Sequence, residues 1–404
     1  MRVLLITRAT LEHAQKGGME AHAAQLAVGL TQRGHTVEVL TTAHPTGIVE
    51  GSVDGVPHRF LEAAPSGSYS REWFEASADW VVDRHADAPY DVLLSESGSA
   101  EGVLAAAADG RISNLPAVCV CHGLAWWTLA GMWRGLGSAT TLPGVAKMAA
   151  RWLYERVGAQ LSALHYDRVV CVSEPLVQAC SREWHYPPER VCCVPNGVDV
   201  ERFASARPDP ALRGEGLCVL VSGRLEPDKG VHLALGALAE MRSPAHLLIA
   251  GDGSARATLE RLAATLQLGA RARFLGHLPP DRLAACHATS DVYLFPTLLN
   301  ESFGYGLAEA MAAARPLVAP PIGGIPMLLE ESVTGLGFPP DSQAGIAHAL
   351  DTLAGDPGLR ERLGREGQRR ARERFTYERM LDGFERVLKE VSDTCRPAPS
   401  DPGP

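Results

Sequence analysis

No apolar run in this chain of 404 residues approaches the ~20 positions that a membrane-spanning helix requires. Positive charge is also short, with 38 Lys and Arg against 47 Asp and Glu and a formal net charge of −9. A nucleic-acid binder needs a basic face to displace counterions, so no nucleic-acid partner is expected. The same balance disfavours general attraction to anionic membranes, although a local basic patch stays open. There is no D-x-D triplet of the kind that holds a divalent metal. There is no paired C-x-x-C framework for zinc either. The nine cysteines, among them Cys119, Cys121, Cys192 and Cys193, fall mostly in apolar, strand-like runs. An odd number of such thiols in a large chain fits a reducing cytoplasm. The opening MRVLLITR is too short in its apolar core for a secretory leader and reads as a first buried strand.

What is present is the composition of a soluble globular protein, 46% apolar and 21% charged, at a length that calls for two or three domains. Apolar runs bounded by turn residues alternate with helix-like segments, the βαβ rhythm of a parallel sheet covered on both faces. In the first half, segments 3–7, 36–41, 90–95, 116–123 and 167–173 read as strands. Between the first two, Ala23, Leu26 and Leu30 recur at helical spacing, and Gly34 closes the helix. The rhythm restarts with strands at 217–223, 246–253, 272–276, 292–296 and 316–320. The expectation is an α/β protein of two doubly wound, Rossmann-like domains, residues 1–205 and 206–376, facing across a cleft. A helix at about 377–392 is expected to pack back on the first domain, and the proline-rich tail 393–404 to be disordered. Ligands of open α/β sheets bind beyond the carboxyl ends of the strands, so two facing sheets place the site between the domains.

The strongest chemical signal is NESFGYGLAEAMAAARPLVAPPIGG (300–324). Glu301 and Glu309 flank a glycine-rich turn, and a helix is expected to begin near Gly304 to Gly306. A helix N-terminus presents unpaired N–H groups and a positive dipole end, which suit a diphosphate. Glu301 can then reach sugar hydroxyls, and Glu309 vicinal hydroxyls of a ribose. The bland reading is an amphipathic helix with an exposed acid. In SGRLEPDKG (222–230), Gly223 begins a loop on which Arg224 and Lys229 can clamp both phosphates of a leaving nucleotide, against the alternative of two solvated cations. Gly17 and Gly18, between the first strand and first helix, allow close backbone approach, or simply a flexible loop. His122 ends an apolar strand and is read either as structural or as a hydrogen-bonding group for a donor or acceptor. The GDG at 251–253 lacks the third glycine of a dinucleotide fingerprint and is discounted. Asn196, Gly197 and Asp199 read as turn formers at the domain junction.

These segments, in this order, resemble the retaining family-4 glycosyltransferases of GT-B architecture. The resemblance covers most of the chain, from GGMEAHAAQLAVGLTQRGHTVEVLT through VSE (172–174), VPNGVD and SGRLEPDKG to the Glu-x7-Glu region and its following GG. It implies that Arg224 and Lys229 hold the donor diphosphate and that Glu309 binds the nucleotide ribose. It also implies that Glu301, with the backbone of Phe303, Gly304 and Tyr305, holds the donor sugar, and that Gly306 and Leu307 belong to the donor-binding set. Gly17, Gly18 and His122 would face that sugar from the first domain, with the base resting near Arg273 to Leu278. His122, Arg224, Lys229 and Glu301 are the expected catalytic set. Two departures stand out: Met327 follows GGIP where the family often has an acid, and Ala314 stands where a glycine is common. Both read as packing variation.

The resemblance implies transfer of a sugar from a nucleoside diphosphate sugar, uridine diphosphate by default, to an acceptor hydroxyl with retention. No permanently bound cofactor and no metal are expected, because two cations can take the metal's place on the diphosphate. Rival readings are a sugar-nucleotide epimerase or hydrolase of the same architecture and a sugar-binding scaffold protein. The latter has no use for a diphosphate clamp. The acceptor is open. Trp126 and Trp127 lie in a Trp-containing segment, 124–157, that reads as an aromatic acceptor wall, an interfacial helix or a cover helix. Ser173 is a further acceptor candidate. The acceptors considered are a small natural product or aminocyclitol, a lipid-linked glycan, and an inositol phosphate, which would call for a basic cluster that the first domain lacks. Abundant Ala, Gly, Arg and Pro suggest a high-GC bacterium and tilt the choice toward a natural product of antibiotic type. Membrane association is not favoured, and the sequence is silent on oligomeric state.

Overall fold

The computed structural model describes residues 1–13, 17–124, 165–183 and 186–395. In chain order, the first sheet is built from β1 (Arg2–Ile6), α1 (Gly18–Gln32), β2 (Thr36–Thr42), β3 (Glu50–Val53), β4 (Val56–Leu61), α2 (Arg71–Asp87), β5 (Val92–Glu96), α3 (Glu101–Ala108), β6 (Ala117–Cys121), β7 (Arg168–Cys171), α4 (Glu174–Glu183) and β8 (Val191–Cys193). A short α5 (Val200–Ala204) leads to the second sheet. That sheet comprises β9 (Leu217–Ser222), α6 (Val231–Glu240), β10 (Ala245–Ala250), α7 (Arg256–Thr265), β11 (Ala272–Gly276), α8 (Pro280–Thr289), β12 (Val292–Leu294), α9 (Tyr305–Ala312), β13 (Leu317–Ala319) and β14 (Gly335–Gly337). Three helices follow: α10 (Gln343–Gly355), α11 (Pro357–Arg374) and α12 (Tyr377–Cys395).

The first sheet runs β3-β4-β2-β1-β5-β6-β7-β8 and the second β11-β10-β9-β12-β13-β14. Every neighbouring pair is parallel except the β3–β4 hairpin. Strand order reverses at β1/β5 in one sheet and at β9/β12 in the other. These are the two switch points beyond which a doubly wound sheet opens a ligand crevice. Central strands carry helices on both faces and are apolar without alternation: Val3, Leu4, Leu5 and Ile6 are wholly buried, as are the residues of β10.

Four strands escape the sequence reading. β8 and β14 have three residues each, too few to display a period. β3 and β4 form a hairpin whose turn, Asp54 at φ 49° and Gly55 at φ 82°, is the Asp-Gly pair that a tight hairpin favours. That signal stood in the sequence between two polar edge segments and was missed because the segments lack an apolar run. The cysteines also group in a way that linear spacing hides: Cys121 from β6, Cys171 from β7 and Cys180 from α4 bring their Sγ atoms together, 3.6 Å from Cys171 to Cys180 and 3.9 Å from Cys121 to Cys180.

The chain crosses between the sheets twice. In the first crossing Val198 N–H donates to Phe375 O at 2.8 Å, so it runs alongside the second. Asp199 caps α5 by accepting from Arg202 N–H at 3.0 Å. From the second crossing α12 returns to α1. Gln25 Nε2 donates to the Tyr377 hydroxyl at 2.7 Å, and Arg33 bridges Asp382 and Glu385 at 2.8 and 2.7 Å. Residues 393–395, expected in the disordered tail, instead complete the last turn of α12; 396–404 lie outside the described residues.

Candidate active site

The second domain supplies one wall. After β9 the chain turns at Gly223, passes the exposed Arg224 and enters a helical turn, Pro227–Lys229, that ends at Gly230. Gly230 sits at φ 68°, and a Cβ there would stand 1.9 Å from the Pro296 carbonyl oxygen, so only glycine lets the two loops meet. Leu298 N–H donates to Asp228 O at 3.0 Å and locks them. The result is a short hydrogen-bonded ion pair between Lys229 Nζ and Glu301 Oε1, to which Thr297 Oγ1 also donates at 3.3 Å. Two motifs far apart in sequence thereby become one cation–carboxylate unit. A cation for phosphate and a carboxylate for hydroxyls stand side by side, the combination a sugar diphosphate needs.

Beyond Glu301 the chain enters α9. Gly304, at φ 96°, is its N-cap and supplies no side chain, so the first N–H groups keep their affinity for an anion. The Phe303 side chain is buried between Tyr305 and Phe375, and that of Leu307 lies wholly in the core, so both side chains fix the helix start. Gly306 packs on Tyr293, whose hydroxyl oxygen lies 2.0 Å from where a Cβ would stand. Glu309 follows one turn later. Burial pushes its carboxyl up to about 7. Its neighbour His287, 3.8 Å away, is held neutral: burial, then Arg315, lowers its pKa to about 3. Among the described residues Glu309 thus has no cation to hold it ionised, and donors such as ribose hydroxyls suit it. Leu278 is half-buried against the core, while the Arg273 guanidinium turns to the Ala211 carbonyl at 2.9 Å.

The first domain supplies the facing wall. Gly17 caps α1 without a side chain, and Gly18 abuts Tyr305: a Cβ there would stand 3.1 Å from the tyrosine ring. The positive ends of two helices from different domains therefore converge on one point. His122 follows β6 directly, and Gly123 after it approaches Ser302, with 2.9 Å between a Cβ position and the Ser302 hydroxyl. The Nε2 of His122 hydrogen-bonds Glu96 Oε2, and the other carboxylate oxygen takes His22 Nδ1 at 3.0 Å. Neither Glu96 nor His22 emerged from the sequence; the only sign was an acid closing a buried strand. Ser173 is fully buried, its hydroxyl 3.0 Å from a Cβ position on Gly324. As the structure stands it belongs to the packed seam between domains, not to an open acceptor surface. Trp126 and Trp127 lie outside the described residues.

This two-walled geometry has counterparts. The family described as "Glycosyltransferase Family 4" matches residues 16–202, and "Glycosyl transferases group 1" matches residues 203–370. The phosphatidyl-myo-inositol mannosyltransferase of Mycobacterium tuberculosis is 30% identical over 397 residues, covering 93% of this chain and 94% of that protein. This chain belongs to glycosyltransferase family 4. A further relative is the D-inositol 3-phosphate glycosyltransferase of Streptomyces bingchenggensis, 28% identical over 93% of this chain and 85% of that one. Among solved structures, sucrose-phosphate synthase from Thermosynechococcus elongatus superposes with a TM-score of 0.80 at 21% identity, covering 97% of this chain and 99% of the other. Anabaena HepE in complex with UDP superposes with a TM-score of 0.76 at 19% identity, over 97% and 100%. The family-4 enzyme described here thus has the GT-B fold and is a glycosyltransferase using nucleotide-sugar donors.

Proposed function

We propose that this glycosyltransferase moves a sugar from a uridine diphosphate sugar to a hydroxyl of a cyclitol-type small molecule, with retention at the anomeric carbon. The observation that carries the reading is the meeting of Lys229 with Glu301 beside the facing N-termini of α1 and α9. One point in the cleft then combines positive potential for a diphosphate with a carboxylate for the attached sugar. Arg224, exposed on the same loop as Lys229, adds the second cation. Glu309, one turn into α9, takes the ribose hydroxyls. The cyclitol ring is supported by two relatives, one named for D-inositol 3-phosphate and one for the lipid phosphatidyl-myo-inositol. Uridine is supported by the family's usage and by the UDP bound to HepE.

Retention is assigned to front-face displacement. The anomeric carbon–phosphate oxygen bond breaks, the acceptor oxygen bonds the same face, and its proton passes to the departing phosphate. The carboxylates around the site support this route. Glu301 is tied to Lys229, Glu96 is enclosed behind His122, and Glu309 sits within α9, so none is set to attack as a covalent nucleophile. The protein's contribution is positioning and charge stabilisation.

Thermal-shift measurements with UDP, GDP, ADP and dTDP test the donor site. A nucleotide at about 100 times its dissociation constant stabilises the fold by about 2.7 kcal/mol. UDP is expected to shift the wild type, and the double variant Arg224→Ala, Lys229→Ala is expected to lose the shift. Absence of a shift with all four nucleotides overturns the reading. Sugar release at full rate without any acceptor would favour a hydrolase or epimerase instead.

A further inference from the structure

Two titratable groups near the cleft, Glu96 and His22, have no part in the donor scheme above. Glu96 ends β5 with its carboxylate wholly enclosed, an arrangement that is strongly unfavourable for a charge unless it is paired. It is paired twice, by His122 Nε2 and His22 Nδ1. The two imidazoles are not equivalent. His22 is enclosed completely, stands edge-on to His122 at 4.8 Å between ring centres, and has the Phe384 ring of α12 on its other side at 5.4 Å. Its Nε2 is buried without a partner among the described residues. His122 keeps part of its side chain open, 14%, and adjoins Gly123, which touches the loop carrying Glu301.

Charge can be distributed over this group in one economical way. Burial opposes ionisation of Glu96, but the imidazoles outweigh it and hold the carboxyl down at about 2. An ionised carboxylate can only accept, so both ring nitrogens that reach it must carry hydrogen. His22 meets this as a neutral ring with hydrogen on Nδ1, because burial lowers its pKa despite Glu96. For His122 burial works in the same direction but Glu96 overcomes it, and the pKa is raised. Among the described residues, other ionisable groups around the ring are Glu20 on α1, Cys121 on β6 and, across the cleft, the Tyr305 phenol near Glu96. Glu20 adds to the rise. A cluster of net charge zero results, with its single positive charge on the ring nearest the cleft.

We propose that Glu96, backed by His22, is a positioning residue that holds His122 as an imidazolium whose remaining N–H, on Nδ1, donates to an oxygen of the bound sugar nucleotide. A neutral His122 with hydrogen on Nε2 would present a lone pair at Nδ1 and could only accept there. Glu96 therefore decides whether the first-domain wall offers a donor or an acceptor, and the donor completes the ring of positive groups around the departing diphosphate. This role rests on the glycosyltransferase reading of the cleft; the charge state of His122 does not.

The two parts are tested separately. In the ligand-free protein with labelled histidine, NMR titration should find His122 protonated to higher pH than an ordinary imidazole. In Glu96→Gln it should titrate at lower pH than in the wild type. An unchanged His122 titration in Glu96→Gln, or a wild-type His122 that titrates below the ordinary range, overturns the proposal. If Glu96→Gln does not fold, Glu96→Asp and the wild-type titration decide. In turnover with a sugar nucleotide, Glu96→Gln should lower kcat at pH 8 about tenfold or more and move the alkaline limb of the kcat profile to lower pH. A normal profile in Glu96→Gln sinks the positioning role while leaving the transferase reading intact. The expected NMR result without sugar transfer from any nucleotide sinks the transferase reading and leaves the charge state standing.

Discussion

At the scale of single residues, the proposed donor side of the cleft is defined by what each charge has for company. Lys229 has Glu301, so its replacement frees a carboxylate beside the proposed diphosphate position and turns attraction into repulsion. Lys229→Ala is expected to lower kcat/KM by at least about a hundredfold, as removal of a charge-stabilising group does, with folding intact by circular dichroism. Glu309 has no cation among the described residues. In the unfolded chain it ionises near its ordinary value of 4.5, in the fold only near 7, so stability is lost as pH rises between the two. With 21% of its side chain open, water screens part of this cost, and about 1 kcal/mol is the expected size. Glu309→Gln should therefore raise the melting temperature of the ligand-free protein at pH 8 but not at pH 4.5, while weakening nucleotide binding at both. A gain equal at the two pH values would contradict the assignment. The Arg224–Lys229 pair also makes a divalent metal unnecessary on this reading. Transfer should persist in excess chelator, and activity abolished by chelator and restored by magnesium would refute that.

At the scale of elements, α9 is the best-determined piece of the site and carries an oddity at its other end. Ala314 sits at φ 57° just past the helix. Its N–H donates to Met311 O at 3.0 Å, and Arg315 N–H donates to Ala310 O at 2.9 Å. These are the paired bonds of a left-handed helix stop, which glycine fills without strain. The family resemblance puts a glycine at this position, and Ala314 departs from it at the cost of backbone strain, not by packing variation. Ala314→Gly is expected to stabilise by about 1 kcal/mol, or about 2–4 °C in a domain of this size, with donor binding unchanged. Differential scanning calorimetry checks it, and a lower melting temperature would count against the strained stop. Met327, half-buried against the core near the GG turn, fits the packing reading.

At the scale of the whole molecule, the two domains are tied by paired crossings and by α12. That helix belongs to the first domain in space although it follows the second in sequence. Leu381 packs against Gly29 of α1, where a Cβ would stand 2.5 Å from the leucine, and Met380, Phe384 and Leu388 are buried. A chain ending at residue 376 would expose that apolar seam on α1 and lose the Arg33 and His35 contacts to Glu385. It is expected to be poorly soluble, with the first domain melting below the second in calorimetry. A truncated chain that melts like the full one would show that α12 is dispensable. The same tie bears on catalysis, because His22 rests on Phe384, so the terminal helix backs the residue behind Glu96.

The sequence alone determined the fold class and named the residues that meet in the second-domain wall, because those signals are local. Apolar period, turn residues and the glycines of 300–324 act within a few positions of themselves, and a sheet buried on both faces leaves continuous apolar runs. Strands of three residues and a polar edge hairpin leave no such mark. Lys229 and Glu301 could be named separately, but their union required two loops to dock through Gly230. Glu96, His22 and His122 come from β5, α1 and the end of β6, and only strand order brings them together. Ser173 shows the reverse case, a residue plausible in sequence whose burial at Gly324 is settled by how the domains meet. Local chemistry says which groups are available; their mutual distances depend on contacts between segments remote in the chain, and those exist only in the folded molecule.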